Sequence, residues 1–177
     1  MDTSKQQDGN YGICSHLHAS IRVTDPSAGS RRTFQSHYNG VFNIKWGPDD
    51  SILATASGDK TTHITCVETQ QVVQILRGHS STVKCIAWDP SRPDLLSTGS
   101  RDGNIYLWDL RVTGNGGTSM DTEEDFPTSS PVVTIDAAHG QEKNKGGRKK
   151  VKPLPRSVTG LLYTNAHTLV SSGSFDG

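Results

Sequence analysis

The chain repeats itself. His37, the run Val41-Phe42-Asn43-Ile44-Lys45-Trp46 and then Thr55-Ala56-Ser57-Gly58-Asp59 recur in the same order as His79, Val83-Lys84-Cys85-Ile86-Ala87-Trp88 and Thr98-Gly99-Ser100-Arg101-Asp102. His37 to His79 and Trp46 to Trp88 are each 42 positions, and Asp59 to Asp102 is 43. A repeat of that length is one supersecondary unit, whose apolar face is covered only when further units stack on it. Within each unit the alternation has a period of two: Phe42, Ile44 and Trp46 interleave with Val41, Asn43 and Lys45, and Ile105 and Leu107 with Asn104 and Tyr106. That is the pattern of strands. Turn residues stand between the runs, as Gly47-Pro48-Asp49-Asp50, Asp89-Pro90-Ser91-Arg92-Pro93-Asp94 and Arg101-Asp102-Gly103. No stretch carries a convincing helical period, so the chain reads as all-β.

Composition narrows the function. At 177 residues the chain is long enough for one ordinary domain, and its apolar share of 32% is low. The low share fits strands that need apolar residues only at alternate positions, together with two polar inserts. Basic and acidic residues balance at a formal net charge of zero, which gives no global attraction to nucleic acid or membrane. No run approaches the roughly 18 apolar residues of a spanning helix, and the start, Met1-Asp2-Thr3-Ser4-Lys5-Gln6-Gln7, lacks the apolar core of a signal peptide. Cys14, Cys66 and Cys85 are odd in number and widely separated, which argues against a disulfide framework and fits a reducing compartment. His16 and His18 have no carboxylate or thiol at ligand spacing, so no metal and no cofactor is expected.

The period, the Gly78-His79 opening and the Trp108-Asp109 close resemble the WD-repeat family, in which each repeat makes one four-stranded propeller blade. The resemblance implies a partial β-propeller of about two full blades and two partial ones. Residues 1–18 are a poorly ordered or degenerate start, 19–36 the end of a preceding blade, 37–78 a blade and 79–111 the core of the next. Residues 112–131 form a polar insert, 132–139 an outer strand, 140–156 a basic insert and 157–177 the start of a truncated blade. Both inserts are expected to be disordered loops. Propellers close with four to eight blades, so the expectation is a fragment of a longer propeller. The same resemblance implies a buried hydrogen-bonded line across each blade. The second repeat supplies His79, Thr98, Asp102 and Trp108. The first supplies His37, Thr55 and Asp59, but has Thr65-Cys66 in place of Trp-Asp, which predicts an incomplete line and a softer blade. A His, a hydroxyl and an Asp in one line look like a catalytic triad, but no nucleophile is positioned, and the chain is read as a non-enzyme.

Trp108-Asp109-Leu110-Arg111 ends the second repeat with a planar fork of donors suited to an interface. This Trp-Asp-x-Arg resembles the motif of substrate receptors for cullin-4 RING ubiquitin ligases. The run 34–46, Ala56-Ser57-Gly58-Asp59-Lys60-Thr61, Gly99-Ser100-Arg101-Asp102-Gly103-Asn104-Ile105 and the basic stretch after Ala138-His139 resemble the denticleless family of such receptors. The resemblance implies a substrate-recognition subunit in ubiquitin-dependent proteolysis linked to DNA replication, with protein substrates bound to the replication sliding clamp. Trp108, Asp109 and Arg111 would then meet the adaptor propeller of the ligase. No small-molecule substrate and no membrane partner are implied. The alternative is a generic WD-repeat scaffold in a nuclear assembly, with Arg111 serving only packing. Arg148, Lys149, Lys150 and Lys152 make the basic insert resemble a nuclear localisation signal, so a nuclear protein is expected.

Overall fold

The computed structural model describes residues 19–24, 31–112, 126–140, 156–165 and 168–174, and all regular elements among them are strands. β1 (Ala19–Thr24) and β2 (Arg31–His37) form an antiparallel pair. β3 (Val41–Trp46), β4 (Ile52–Ser57), β5 (Thr61–Cys66) and β6 (Val72–Arg77) form an antiparallel meander, the first blade. β7 (Val83–Asp89), β8 (Arg92–Ser100) and β9 (Ile105–Asp109) build the second. β10 (Thr128–Ser129) and β11 (Val133–Ile135) come next, and β11 closes the second blade against β9. β12 (Ser157–Asn165) and β13 (Thr168–Ser174) pair as a further two-stranded sheet. Blades of this construction arranged in sequence are the architecture of a propeller sector.

The repeat carries over into the turns. The β4–β5 connection closes with the Lys60 amide donating to the Ser57 carbonyl at 3.3 Å, and the β8–β9 connection closes with Gly103 donating to Ser100 at 3.1 Å. Both places need a left-handed backbone, with φ of 73° at Lys60 and 86° at Gly103. Only the second turn has glycine there, the residue that takes this conformation without steric cost.

Sheets bury their faces against one another in series. Ala54, Ala56, Ile64 and Leu76 of the first blade pack with Val83, Ile86, Leu96 and Trp108 of the second. Cys85 and Ile105 pack with Val158 of β12, beside Leu107, Leu161 and Leu169. Ile21 of β1 packs with Leu53 of β4. Burial pushes the Cys85 thiol up to about 12, which fits an inert core filler. Phe42, Ile44 and Trp46 on β3 and Leu162 and Val170 on β12 and β13 remain exposed.

Two local features differ from the sequence expectation. The turn after β7 is shorter, because Arg92 and Pro93 lie inside β8 and Arg92 pairs with Asp89. The end of the 112–131 insert is also not a free loop: Thr128 and Ser129 pair in parallel with Ile75 and Leu76, making β10 a fifth strand on the first blade. The Pro127 carbonyl accepts from the Ile75 amide at 2.9 Å, and Gln74 Nε2 donates to Ser129 Oγ at 2.6 Å. An otherwise open outer edge is thereby covered.

Candidate interaction sites on the blades

In the second blade the four residues named from the repeat meet. His79 Nδ1 lies 3.0 Å from Asp102 Oδ2, and His79 Nε2 lies 2.8 Å from Thr98 Oγ1. Trp108 Nε1 donates to the same Thr98 oxygen at 2.8 Å. β8 supplies Thr98 and β9 supplies Trp108, while the loop after β8 returns Asp102 to the histidine that precedes β7. Asp102 also accepts from the backbone amides of Ser80 at 2.9 Å and Asn104 at 2.9 Å. Although burial opposes ionisation, the bond to His79 and the two amides hold the Asp102 carboxyl below its ordinary pKa. Tyr106 stacks on His79 at 4.2 Å and meets Trp108 edge-on at 5.8 Å. Gly78 makes room for these rings: a Cβ there would lie 3.1 Å from Tyr106 and 3.3 Å from Trp108.

The first blade rebuilds the same line from other residues. His37 Nδ1 lies 2.7 Å from Asp59 Oδ2, and His37 Nε2 lies 2.8 Å from Thr55 Oγ1. Where Gly78 and Trp108 stand in the second blade, the first has Ser36 and Thr65, and the Ser36 hydroxyl lies 3.2 Å from Thr55 Oγ1. Ser36 thus takes the place of the indole N–H. His63 replaces Tyr106 and stacks on His37 at 3.9 Å with 23° between the rings. Sequence reasoning missed Ser36 and His63; aligning the repeats position by position, rather than by landmarks, displays both exchanges.

His37, Asp59 and His63 place ligand-type atoms within 4.8 Å of one another. Their arrangement serves hydrogen bonding better than metal binding. Both nitrogens of His37 already have partners. The stacked rings direct their in-plane lone pairs along nearly parallel planes rather than toward a shared centre. Beside this cluster lies a cavity of about 520 Å³ lined by side chains of β2, β5, β6 and Phe126.

Arg111 follows β9 on the exposed surface. Its Nε donates to Asp109 Oδ1 at 2.9 Å and its Nη2 to Asp109 Oδ2 at 2.7 Å, a two-pronged pair, with Asp94 a further 3.8 Å away. The Arg111 hydrogen bonds hold the Asp109 carboxyl down to about 2. The Arg111 side chain is 68% exposed. Trp108 is buried in the line above and faces away from this surface role. The first blade carries Glu68, also exposed, at the position of Arg111, so the two blades present opposite charge at equivalent points. Arg148, Lys149, Lys150 and Lys152, like His16 and His18, lie outside the described residues.

Comparison with known proteins supports the repeat reading. The family model described as "WD domain, G-beta repeat" matches residues 29–65 and 70–109. A denticleless protein homolog of Gallus gallus is 31% identical over 149 residues, covering 82% of this chain and 21% of that protein. The Homo sapiens homolog is 30% identical over 148 residues, covering 82% of this chain and 20% of that protein. The Drosophila melanogaster protein lethal(2)denticleless is 28% identical, covering 81% and 19%. The chain therefore spans about a fifth of the length of the curated relatives it matches. Among solved structures, a chain of the mitotic checkpoint complex superposes with a TM-score of 0.61 at 23% identity, covering 88% of this chain and 38% of that one. A chain of an active polycomb repressive complex 2 in the basal state gives 0.66 at 20% identity, covering 89% and 30%. At these identities the structures speak for the propeller fold alone. Repeats, blades and relatives converge: the chain is a denticleless-like WD-repeat protein.

Proposed function

We propose that this chain is part of a substrate receptor of a cullin-4 RING ubiquitin ligase, acting in ubiquitin-dependent proteolysis tied to DNA replication. The observation that carries the reading is Arg111: an exposed guanidinium directly after a Trp-Asp strand end, in a chain similar to denticleless proteins along four-fifths of its length. In this proposal Arg111 and Asp109 meet the adaptor propeller of the ligase, and the chain contributes recognition while other subunits do the chemistry. Protein substrates would arrive bound to the replication sliding clamp, and the basic segment at 148–152 would direct the protein to the nucleus. The exposed position suits an interface, where an arginine can be a hot spot worth about 2 kcal/mol or more.

The closed pair between Arg111 and Asp109 favours a second reading, in which Arg111 only braces the end of β9 and the chain is a nuclear scaffold without a ligase. Arg111→Ala separates the two. Under the receptor reading the variant keeps its thermal midpoint but loses at least tenfold in affinity for the adaptor, measured by co-purification and calorimetry with the full-length protein. Adaptor binding equal to the parent protein would leave the scaffold reading in possession.

A further inference from the structure

The segment that returns from the second repeat to the first blade holds a serine that the adaptor reading leaves unused. The chain has eight prolines, and only Pro131 directly follows a serine or threonine, so the pair Ser130-Pro131 occurs once. Ser130 is exposed and comes directly after β10, whereas its neighbour Ser129 is buried and accepts from Gln74 Nε2 at 2.6 Å. An exposed serine followed by proline is the chemistry that proline-directed protein kinases read.

The register of β10 fixes what a phosphate at this serine would meet. Thr128 lies opposite Ile75 and Ser129 opposite Leu76 in a parallel pair. Two residues on, a Cβ at Gly78 would lie 3.4 Å from Pro131 Cδ, so the alignment persists past the strand and sets Ser130 alongside Arg77. Side chains alternate between the faces of a sheet. Ser129 shares a face with Gln74, which puts Ser130 on the other face with Ile75 and Arg77. Neighbouring strands stand about 4.8 Å apart, well within the reach of an arginine side chain. Arg77 is exposed, and among the described residues no carboxylate pairs with it. Its charge reaches His63, the residue opposite Ile75 on β5, and helps to hold that ring neutral. Asp59, the acid of the adjoining hairpin, is taken up by His37 and Thr61.

β10 is also small enough to be handed to an enzyme. It is two residues long, held by the Ile75 amide on the Pro127 carbonyl at 2.9 Å and by the Gln74 bond to Ser129. Pieces of this size open locally while the rest of a domain stays folded. A phosphate brings nearly two negative charges and three acceptor oxygens. Back on β6, those oxygens match the planar fork of Arg77 in a charge-assisted pair.

We propose that Ser130 is a phosphorylation site for a proline-directed protein kinase, and that Arg77 receives its phosphate and locks β10 onto the first blade. In the transfer, the γ-phosphoryl group of ATP passes to Ser130 Oγ. The new O–P bond forms as the bond to the β-phosphate breaks, ADP leaves, and the hydroxyl proton goes to the kinase. The site is independent of the Arg111 reading and can hold or fall without it.

The test treats the whole chain with ATP and a proline-directed kinase that modifies a standard Ser-Pro peptide, and maps the product by mass spectrometry. One phosphate on Ser130, absent in Ser130→Ala, is expected. Hydrogen exchange of the Ile75 amide, which rests on the Pro127 carbonyl, should then slow about tenfold. Phosphorus NMR should place the second pKa of the phosphate below its ordinary value of about 6. Arg77→Gln should restore that value and cancel the slowing. An unmodified Ser130, an unchanged Ile75 exchange rate or a phosphate with its ordinary pKa would each overturn the proposal, and none of these needs a variant of Arg77. A lowered pKa that Arg77→Gln leaves in place would assign the phosphate to another cation and overturn it as well.

Discussion

Thr98 shows how much a single small residue can hold. One hydroxyl oxygen serves both His79 and Trp108, two of the most buried polar rings in the second blade. Thr98→Val keeps the shape and removes the oxygen, so each ring nitrogen left without a partner costs about 1–3 kcal/mol. Thr55→Val should cost less, because only one ring nitrogen, that of His37, depends on that hydroxyl and the first blade has no indole bond to lose. Urea unfolding of the two variants checks the order; equal losses would show that the indole bond adds nothing. The aspartates are a different matter. The expectation of a softer first blade rested on Thr65, yet Asp59 is held as fully as Asp102, by His37 and by the amide and hydroxyl of Thr61. His, Thr and Asp were legible in the sequence because they recur at the period. Ser36 was not, since a serine in place of a glycine carries no meaning until the ring above Gly78 is seen.

At the scale of elements, the hairpins β4–β5 and β8–β9 are near copies that differ at one strained position. Lys60 adopts a left-handed backbone that Gly103 takes freely. Lys60→Gly removes that strain and loses some unfolded-state entropy advantage, for a net gain of up to about 1 kcal/mol. Thermal unfolding followed by circular dichroism should show a raised midpoint, while Gly103→Lys should lower it. The strands that alternate strongly, β3 and β9 among them, could be read directly because a period of two leaves its mark over five or six residues. β10 could not. It is two residues long, without apolar alternation, and its pairing is dictated by the open edge of β6 rather than by its own sequence.

For the molecule as a whole, acid should act in two stages. His63 has a folded pKa near 4 against an ordinary 6.5, so the unfolded chain binds a proton in that interval and the folded chain does not. Stability is then complete above pH 6.5 and declines as the pH falls toward 4, by roughly 3 kcal/mol at most for a shift of this size. Asp59 and Asp102 have depressed folded values; their contribution is present above about 3.8 and is lost as the pH drops further. His63→Gln should flatten the first limb and spare the second when unfolding midpoints are followed from pH 7 to pH 3. A parallel decline in parent and variant would remove His63 from the account. The propeller class was legible because stacking demands the same pattern in every unit, whereas the exchange of Tyr106 and Trp108 for His63 and Thr65 depends on which units depart from it. One further consequence lies in β10, which leaves the second repeat and returns to clasp the first across Gln74 and Ser129. Repeat proteins lengthen and shorten by copying or losing single units, but here a cut at the repeat boundary would sever a strand from its sheet. Removing the second repeat together with the segment that follows it would therefore bare the edge of β6 in the first.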